Sequence, residues 1–154
     1  MTITRRTTTA AFIATVIAPV AAVRARTSTT PGEAVLYKNP QRDCCEGHAQ
    51  HLRQSGLAVR VVETHDLALI KHQQGVPEAL EGCHTIVVDG YVVEGHVPAS
   101  IVTRLLNEKP NLKGISLPGM PLGSPGMGGP KQAPFTIYAI ARTPVSEPAV
   151  YAVA

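Results

Sequence analysis

The chain has 154 residues, a formal net charge of +3, 44% hydrophobic residues and only 4% aromatic ones. Residues 1–25 carry Arg5, Arg6 and Arg24 and no acid, so beyond them 11 basic residues balance 11 acidic ones. A neutral domain without a Lys/Arg cluster excludes the electrostatic footprint of nucleic-acid or anionic-lipid binding, and an odd count of 3 cysteines excludes a framework built only of intrachain disulfides.

Residues 1–25 read as a targeting segment. Arg5 and Arg6 give a basic start, residues 10–23 are apolar apart from Thr15 and Pro19, and Val23-Arg24-Ala25 offers a small-residue cleavage site. The apolar run is shorter than the ~20 residues of a spanning helix, so the expectation is export to the periplasm with cleavage near Ala25 and no permanent membrane span. The route is left open, because threonines follow the arginine pair where a twin-arginine signal has apolar residues. The remainder has the size of one domain with its own core.

Residues 26–33, RTSTTPGE, form a polar, flexible lead-in. Residues 34–37 predict a short strand. Residues 46–55 predict a helix with Ala49 and Leu52 inward and Gly56 as its stop, and the valine-rich residues 58–62 a second strand. Asp66 is placed to cap a helix running to Gly75, which Val76-Pro77 breaks before a short turn containing Leu80. Two β-type runs, 85–88 and 91–94, flank Asp89-Gly90, a strong hairpin signal. Pro98 and Ser100 open a helix with Ile101, Val102, Leu105 and Leu106 on one face, ending before Pro110. Residues 118–134 are rich in Gly, Pro, Met and Ser, residues 135–141 predict a last strand, and the tail from residue 143 is expected to be loose because Pro144 and Pro148 interrupt it. The order β-α-β-α-β-β-α predicts an α/β, thioredoxin-like domain over residues 34–142: a central mixed sheet flanked by helices, with the reactive site after the first strand.

That site would hold Cys44 and Cys45, adjacent in LYKNPQRDCCEGH. Neighbouring cysteines can close a strained disulfide, or stand as two thiols at a helix N-terminus, where backbone N–H groups and the helix dipole favour the thiolate. Burial as two small apolar residues is the competing reading, opposed by the polar Asn39, Gln41, Arg42, Asp43 and Glu46 around them. Cys83, followed by His84, opens the third strand, which a thioredoxin-like arrangement puts opposite the first helix's N-terminus. Three sulfurs and an imidazole would then converge in a set suited to Cu(I) or Zn(II). A disulfide from Cys83 to one of the pair is the alternative in an oxidising compartment.

Apart from Met1, the methionines are Met120 and Met127, each in a Pro-Gly-Met unit of LPGMPLGSPGM. Thioether sulfur in such a loop suits Cu(I), with an apolar lid as the alternative. Among the histidines, His84 is favoured as a ligand, then His48 and His96; His48 and His51 could share a helix face, and His65 and His72 read as surface residues. Phosphate-loop, nucleophile-elbow and paired-carboxylate patterns are missing, and His84 has no Ser or Asp companions that would make a triad.

Four stretches give the chain a more specific likeness: HL at 51–52, GVPEAL at 75–80, CHTIVVDGYVVEGHVP at 83–98 and PGMPLGSPGM at 118–127. In this order they resemble the CopG-type periplasmic proteins of bacterial copper resistance, over about residues 34–142. The resemblance implies an exported copper-binding domain whose clustered cysteines hold Cu(I) and exchange electrons with it. The family's first-loop motif reads Cys-Gly-Cys-Cys, with a fourth cysteine before the strand that begins at Thr85. Cys44, Cys45 and Cys83 match three of these positions. Arg42 stands at the first, Asp43 replaces the glycine, and His48 stands where the family often has an aromatic residue. The fixed charge of Arg42 and the missing Cys-x-x-Cys pair point to a smaller Cys/His site with His48 as a substitute ligand, or to a chain that kept the fold and lost the metal.

The leading expectation is therefore a periplasmic protein that sequesters or passes on Cu(I), with zinc as the other candidate ion and binding rather than catalysis as its role. The metal ligands would be Cys44, Cys45, Cys83, His84 and His48, with Met120 and Met127 as an outer ring. The alternatives are a thiol oxidoreductase using Cys44 or Cys45 with Cys83, and a metal-free interaction module. Any protein partner is unidentified at this level.

Overall fold

A computed structural model describes residues 32–154; the predicted leader and most of the predicted lead-in lie outside them. The elements follow in the order β1 (Glu33–Lys38), α1 (Asp43–Gln54), β2 (Ala58–Glu63), α2 (Leu67–Gln74), a single 3-10 turn (Glu78–Leu80), β3 (His84–Val88), β4 (Tyr91–Glu94), α3 (Ala99–Glu108), β5 (Gly114–Ser116), β6 (Thr136–Ile140) and β7 (Val150–Val153). All seven strands join one mixed sheet in the order β2-β1-β3-β4-β5-β6-β7. Strands β1 and β2 are parallel, while β3 runs antiparallel to both β1 and β4. This is the predicted thioredoxin-like arrangement, extended at the β4 side by three further strands. Among the described residues no helix is long and apolar enough to cross a membrane.

Local chemistry accounts for most boundaries. Asp89 and Gly90 both take positive φ, 45° and 80°, the backbone of a two-residue hairpin turn whose twist matches its strands. Helix α2 ends at Gly75 in the left-handed conformation, the usual way to terminate a helix. Asp66 occupies the predicted cap position, but its carboxylate makes no capping hydrogen bond.

Three predictions need correction. Helix α1 starts at Asp43 rather than residue 46, because Arg42 N–H bonds back to the Asn39 carbonyl at 3.1 Å and the turn delivers the chain directly into helical geometry. Cys44 and Cys45 thus lie in the first helical turn rather than in a loop before it. Strand β5 was not anticipated: Gly114, Ile115 and Ser116 are a short run without alternation, and pairing with both β4 and β6 makes it a strand. The tail is not loose over its last residues, since Val150–Val153 pairs antiparallel with β6. Pro144 and Pro148 sit in the connection, outside both strands, where a missing N–H costs no ladder bond.

Alternation along the strands divides the core into two layers. Leu36, Ile86, Val93 and Ile115 face Ala49 and Leu52 of α1 and Val102 and Leu105 of α3. The opposite face is smaller, with Val76, Leu80, Val92 and Ile140. It also holds a charged group. Lys71 of α2 pairs with Glu94, which is fully buried, and the Glu94 carboxylate further accepts the Thr85 hydroxyl at 2.7 Å and the Gly82 N–H at 2.8 Å. Burial raises the Glu94 pKa, and Lys71, Thr85 and Gly82 oppose that rise by stabilising the carboxylate.

Removing one partner of a buried ion pair strands the other charge. Lys71→Met is expected to cost about 3–5 kcal/mol of unfolding free energy, measured by urea denaturation of the reduced protein, and adding Glu94→Gln to it should recover part of the loss. A Lys71→Met protein of unchanged stability would show that the pair contributes nothing to folding.

Candidate metal centre

The β1 strand ends at Lys38, and its register opposite β3 pairs Lys38 with His84. That register sets the first turn of α1 beside the start of β3. Cys45 is fully buried, Cys83 nearly so, and Cys44 half-buried; all three are free thiols. The Cys45 and Cys83 sulfurs lie 3.5 Å apart.

A second close approach supplies the imidazoles. Gly95, at φ +73°, lets β4 run so near its neighbours that a Cβ there would meet the Leu117 carbonyl oxygen at 2.3 Å. Only glycine fits such a contact at positive φ, and it turns the next residue, His96, toward the sulfurs. His96 Nε2 stands 2.8 Å and His84 Nδ1 3.2 Å from Cys83 Sγ. Cys44, Cys45, Cys83 and His96 each offer one donor atom, and these four atoms lie within 4.8 Å of one another.

The Pro-Gly-Met loop crosses over this cluster. Gly126 lies flat on α1, where a Cβ would come within 2.3 Å of the His48 backbone nitrogen and 2.8 Å of the Cys44 carbonyl oxygen. The Pro125 carbonyl accepts a hydrogen bond from His96 Nδ1 at 2.6 Å. Met120 is exposed, and its thioether accepts a hydrogen bond from Arg42 Nη1 at 3.0 Å; Met127 is half-buried.

The structure sorts the remaining histidines. His48 is fully buried one row behind the sulfurs, with Nδ1 2.8 Å from His84 Nε2 and Nε2 2.9 Å from the Val97 carbonyl. His51 stacks on His48 and accepts the Ala99 N–H at 3.3 Å. His65 and His72 are exposed, as the sequence predicts. Both His84 and His96 face Cys83, and His96, ranked lower from the sequence, makes the shorter contact. The glycine before His96 was the available signal.

Protonation follows from burial and contact. The hydrogen bond with Cys83 pulls the Cys45 pKa down, against the opposing effect of burial. That same bond, with burial, pushes the Cys83 pKa up, and burial followed by the Cys45 charge raises Cys44. The two sulfurs thus share one hydrogen bond that favours a single negative charge on the pair. Burial lowers His48 to about 2 and also lowers His84, so both rings are neutral near pH 7.

Comparisons with known proteins identify the family and the fold. A family described as "Protein of unknown function, DUF411" matches residues 80–127. The solved structure "Copper resistance protein copG- Form 2" is 34% identical, covers 81% of this chain and 99% of its own, and superposes with a TM-score of 0.73. The chain belongs to the CopG copper-resistance protein family. "Copper resistance protein copG- Form 1" matches equally, with 34% identity, a TM-score of 0.73, and coverage of 81% and 98%. No curated protein matches the chain. Membership in the CopG family and a buried Cys/His cluster together fit a copper-related function.

Neutral buried histidines make the metal-free protein acid-sensitive. Their folded pKa values lie below the usual 6.5, so below that pH the unfolded chain binds more protons and stability falls as pH drops. His48 alone should remove about 1.4 kcal/mol per pH unit once the pH is well below 6.5, and His84 adds to it. Urea unfolding of the reduced, metal-free protein should show the decline between about pH 7 and about pH 5; a flat profile would mean that these rings titrate normally.

Proposed function

We propose that the protein is exported to the periplasm, loses residues 1–25 near Ala25, and binds Cu(I) to sequester it or pass it on. The observation that carries this reading is the convergence of the Cys44, Cys45 and Cys83 sulfurs with His96 Nε2 within 4.8 Å of one another. Thiolates are soft ligands that select Cu(I), and imidazole suits copper and zinc alike. The cysteines would release their thiol protons as the cation arrives. His96 and His84 would add nitrogen donors. His48 has both ring nitrogens engaged and would stay behind the donor set. Met120 and Met127 would form an outer thioether pair on the crossing loop, Met120 becoming available once Arg42 releases it.

Arg42 would limit capacity in this reading, because the CopG-type resemblance puts it where the motif has its first cysteine and because its guanidinium occupies the Met120 sulfur. Anaerobic titration of the reduced protein with Cu(I) should show tight uptake that is lost when Cys44, Cys45 and Cys83 are all changed to serine. Arg42→Cys should bind more Cu(I) per chain than the parent. Uptake unaffected by the triple change would sink the proposal, and a parallel titration with Zn(II) tells whether the donor set discriminates.

The 3.5 Å separation of Cys45 and Cys83 supports a second reading, thiol–disulfide exchange. The Cys45 thiolate would attack a partner protein's disulfide, and Cys83 would displace the partner, leaving it as a dithiol and closing Cys45 to Cys83. A Cys83→Ser protein that still completes this dithiol cycle would eliminate it.

A further inference from the structure

His48, His84 and His96 form a buried group of imidazoles, with ring centroids 4.8–5.1 Å apart. Their proton positions follow from their partners. A backbone carbonyl only accepts, so the nitrogen facing it must carry the proton. His48 Nε2 faces the Val97 carbonyl at 2.9 Å and therefore donates. A neutral ring has one such proton, which leaves His48 Nδ1 bare. His84 Nε2, 2.8 Å from that bare nitrogen, must then donate to it. His84 Nδ1 is bare in turn, and it is the atom 3.2 Å from Cys83 Sγ.

His96 reaches the same state by a shorter route. The Pro125 carbonyl takes the Nδ1 proton at 2.6 Å, leaving the Nε2 lone pair toward Cys83. Two carbonyls, one beside β4 and one on the crossing loop, thus direct two imidazole lone pairs at one sulfur. The difference lies in what intervenes. His96 is fixed directly, whereas His84 depends on a second side chain whose only described polar contacts are Val97 and His84.

We propose that His48 is a positioning residue rather than a ligand: it holds His84 in the tautomer whose bare Nδ1 faces Cys83, so that an incoming soft cation meets a lone pair instead of an N–H. This rests on the Cu(I)-binding reading above and deepens it, because it assigns His84 a donor atom and His48 a separate role. Outer partners that fix a histidine's tautomer typically contribute 10–100-fold to metal affinity. The alternative tautomer of His48 would point a second acceptor at Val97 and an N–H at His84, forfeiting the carbonyl bond at full burial.

The test begins without metal. In reduced, metal-free protein with 15N-labelled histidine, long-range 1H–15N correlation spectra should show His48 and His84 both protonated at Nε2. His48→Phe removes the acceptor and should release His84 into a mixture of tautomers. His48→Asn, whose side-chain oxygen can stand near the former Nδ1, should restore the single form. In competition with a chromophoric Cu(I) chelator, His48→Phe should bind Cu(I) roughly 10–100-fold more weakly, and His48→Asn should recover most of that loss. Finding His84 protonated at Nδ1 in the parent would overturn the proposal, as would an unchanged tautomer or unchanged Cu(I) affinity in His48→Phe. If His48→Phe fails to fold, the tautomer of the parent and the affinity of His48→Asn still decide. Because the spectra are taken on metal-free protein, a parent that takes up no Cu(I) would defeat the functional reading while leaving the tautomer result to stand or fall by itself.

Discussion

The antiparallel pairing of β1 with β3 is the constraint on which the site depends. It sets Lys38 opposite His84, and a shift of one residue would send Cys83 and His84 to the wrong faces of the sheet. The register is held from both sides. Leu36 and Ile86 face the large core, where no polar side chain could replace them without cost. The buried ammonium of Lys38 reaches out to Glu63 at 3.0 Å and to Glu46 at 3.7 Å. Glu46 belongs to the first turn of α1, so this lysine links the strand end to the helix that carries Cys44 and Cys45.

Two close backbone contacts complete the enclosure, and each brings in a different part of the chain. Gly95 against the Leu117 carbonyl turns His96 inward, and Gly126 against α1 seats the loop over Cys44 and His48. The second contact gives the Pro-Gly-Met loop a role independent of its methionines, because it puts the Pro125 carbonyl on His96. The loop therefore orients one imidazole while covering the sulfurs. On the opposite face of the sheet Glu94 binds the backbone just before Cys83 and the side chain just after His84. The strand carrying the donors is thus gripped from behind by a buried carboxylate.

The donor set of the cluster is soft in character. It offers three cysteine sulfurs and an imidazole nitrogen rather than carboxylates. A hard divalent ion such as Mg2+ or Ca2+ would find no carboxylate among the four clustered donors. A proton-releasing, sulfur-rich site instead favours ions that gain most from thiolate bonding.

The elements with strong local signals were legible in the sequence: the Asp89-Gly90 hairpin, the Gly75 helix stop, the apolar face of α3, and the order of elements that defines the thioredoxin-like core. So was the family likeness, because residue type and order carry it directly, and the three cysteines and His84 singled out in the sequence do lie together in the fold. Strand β5 and strand β7 were not legible, since each is short and becomes a strand only through a partner distant in the chain. The earlier start of α1 likewise depends on a turn bond that no propensity announces. The division of labour among the histidines belonged entirely to the tertiary structure. Whether an imidazole offers a lone pair or an N–H depends on which carbonyl faces its other nitrogen, and Val97 and Pro125 reach those positions only through the packing of α1, β4 and the crossing loop. Sequence alone determined which donors the protein possesses; the fold decided which of their atoms point at one another.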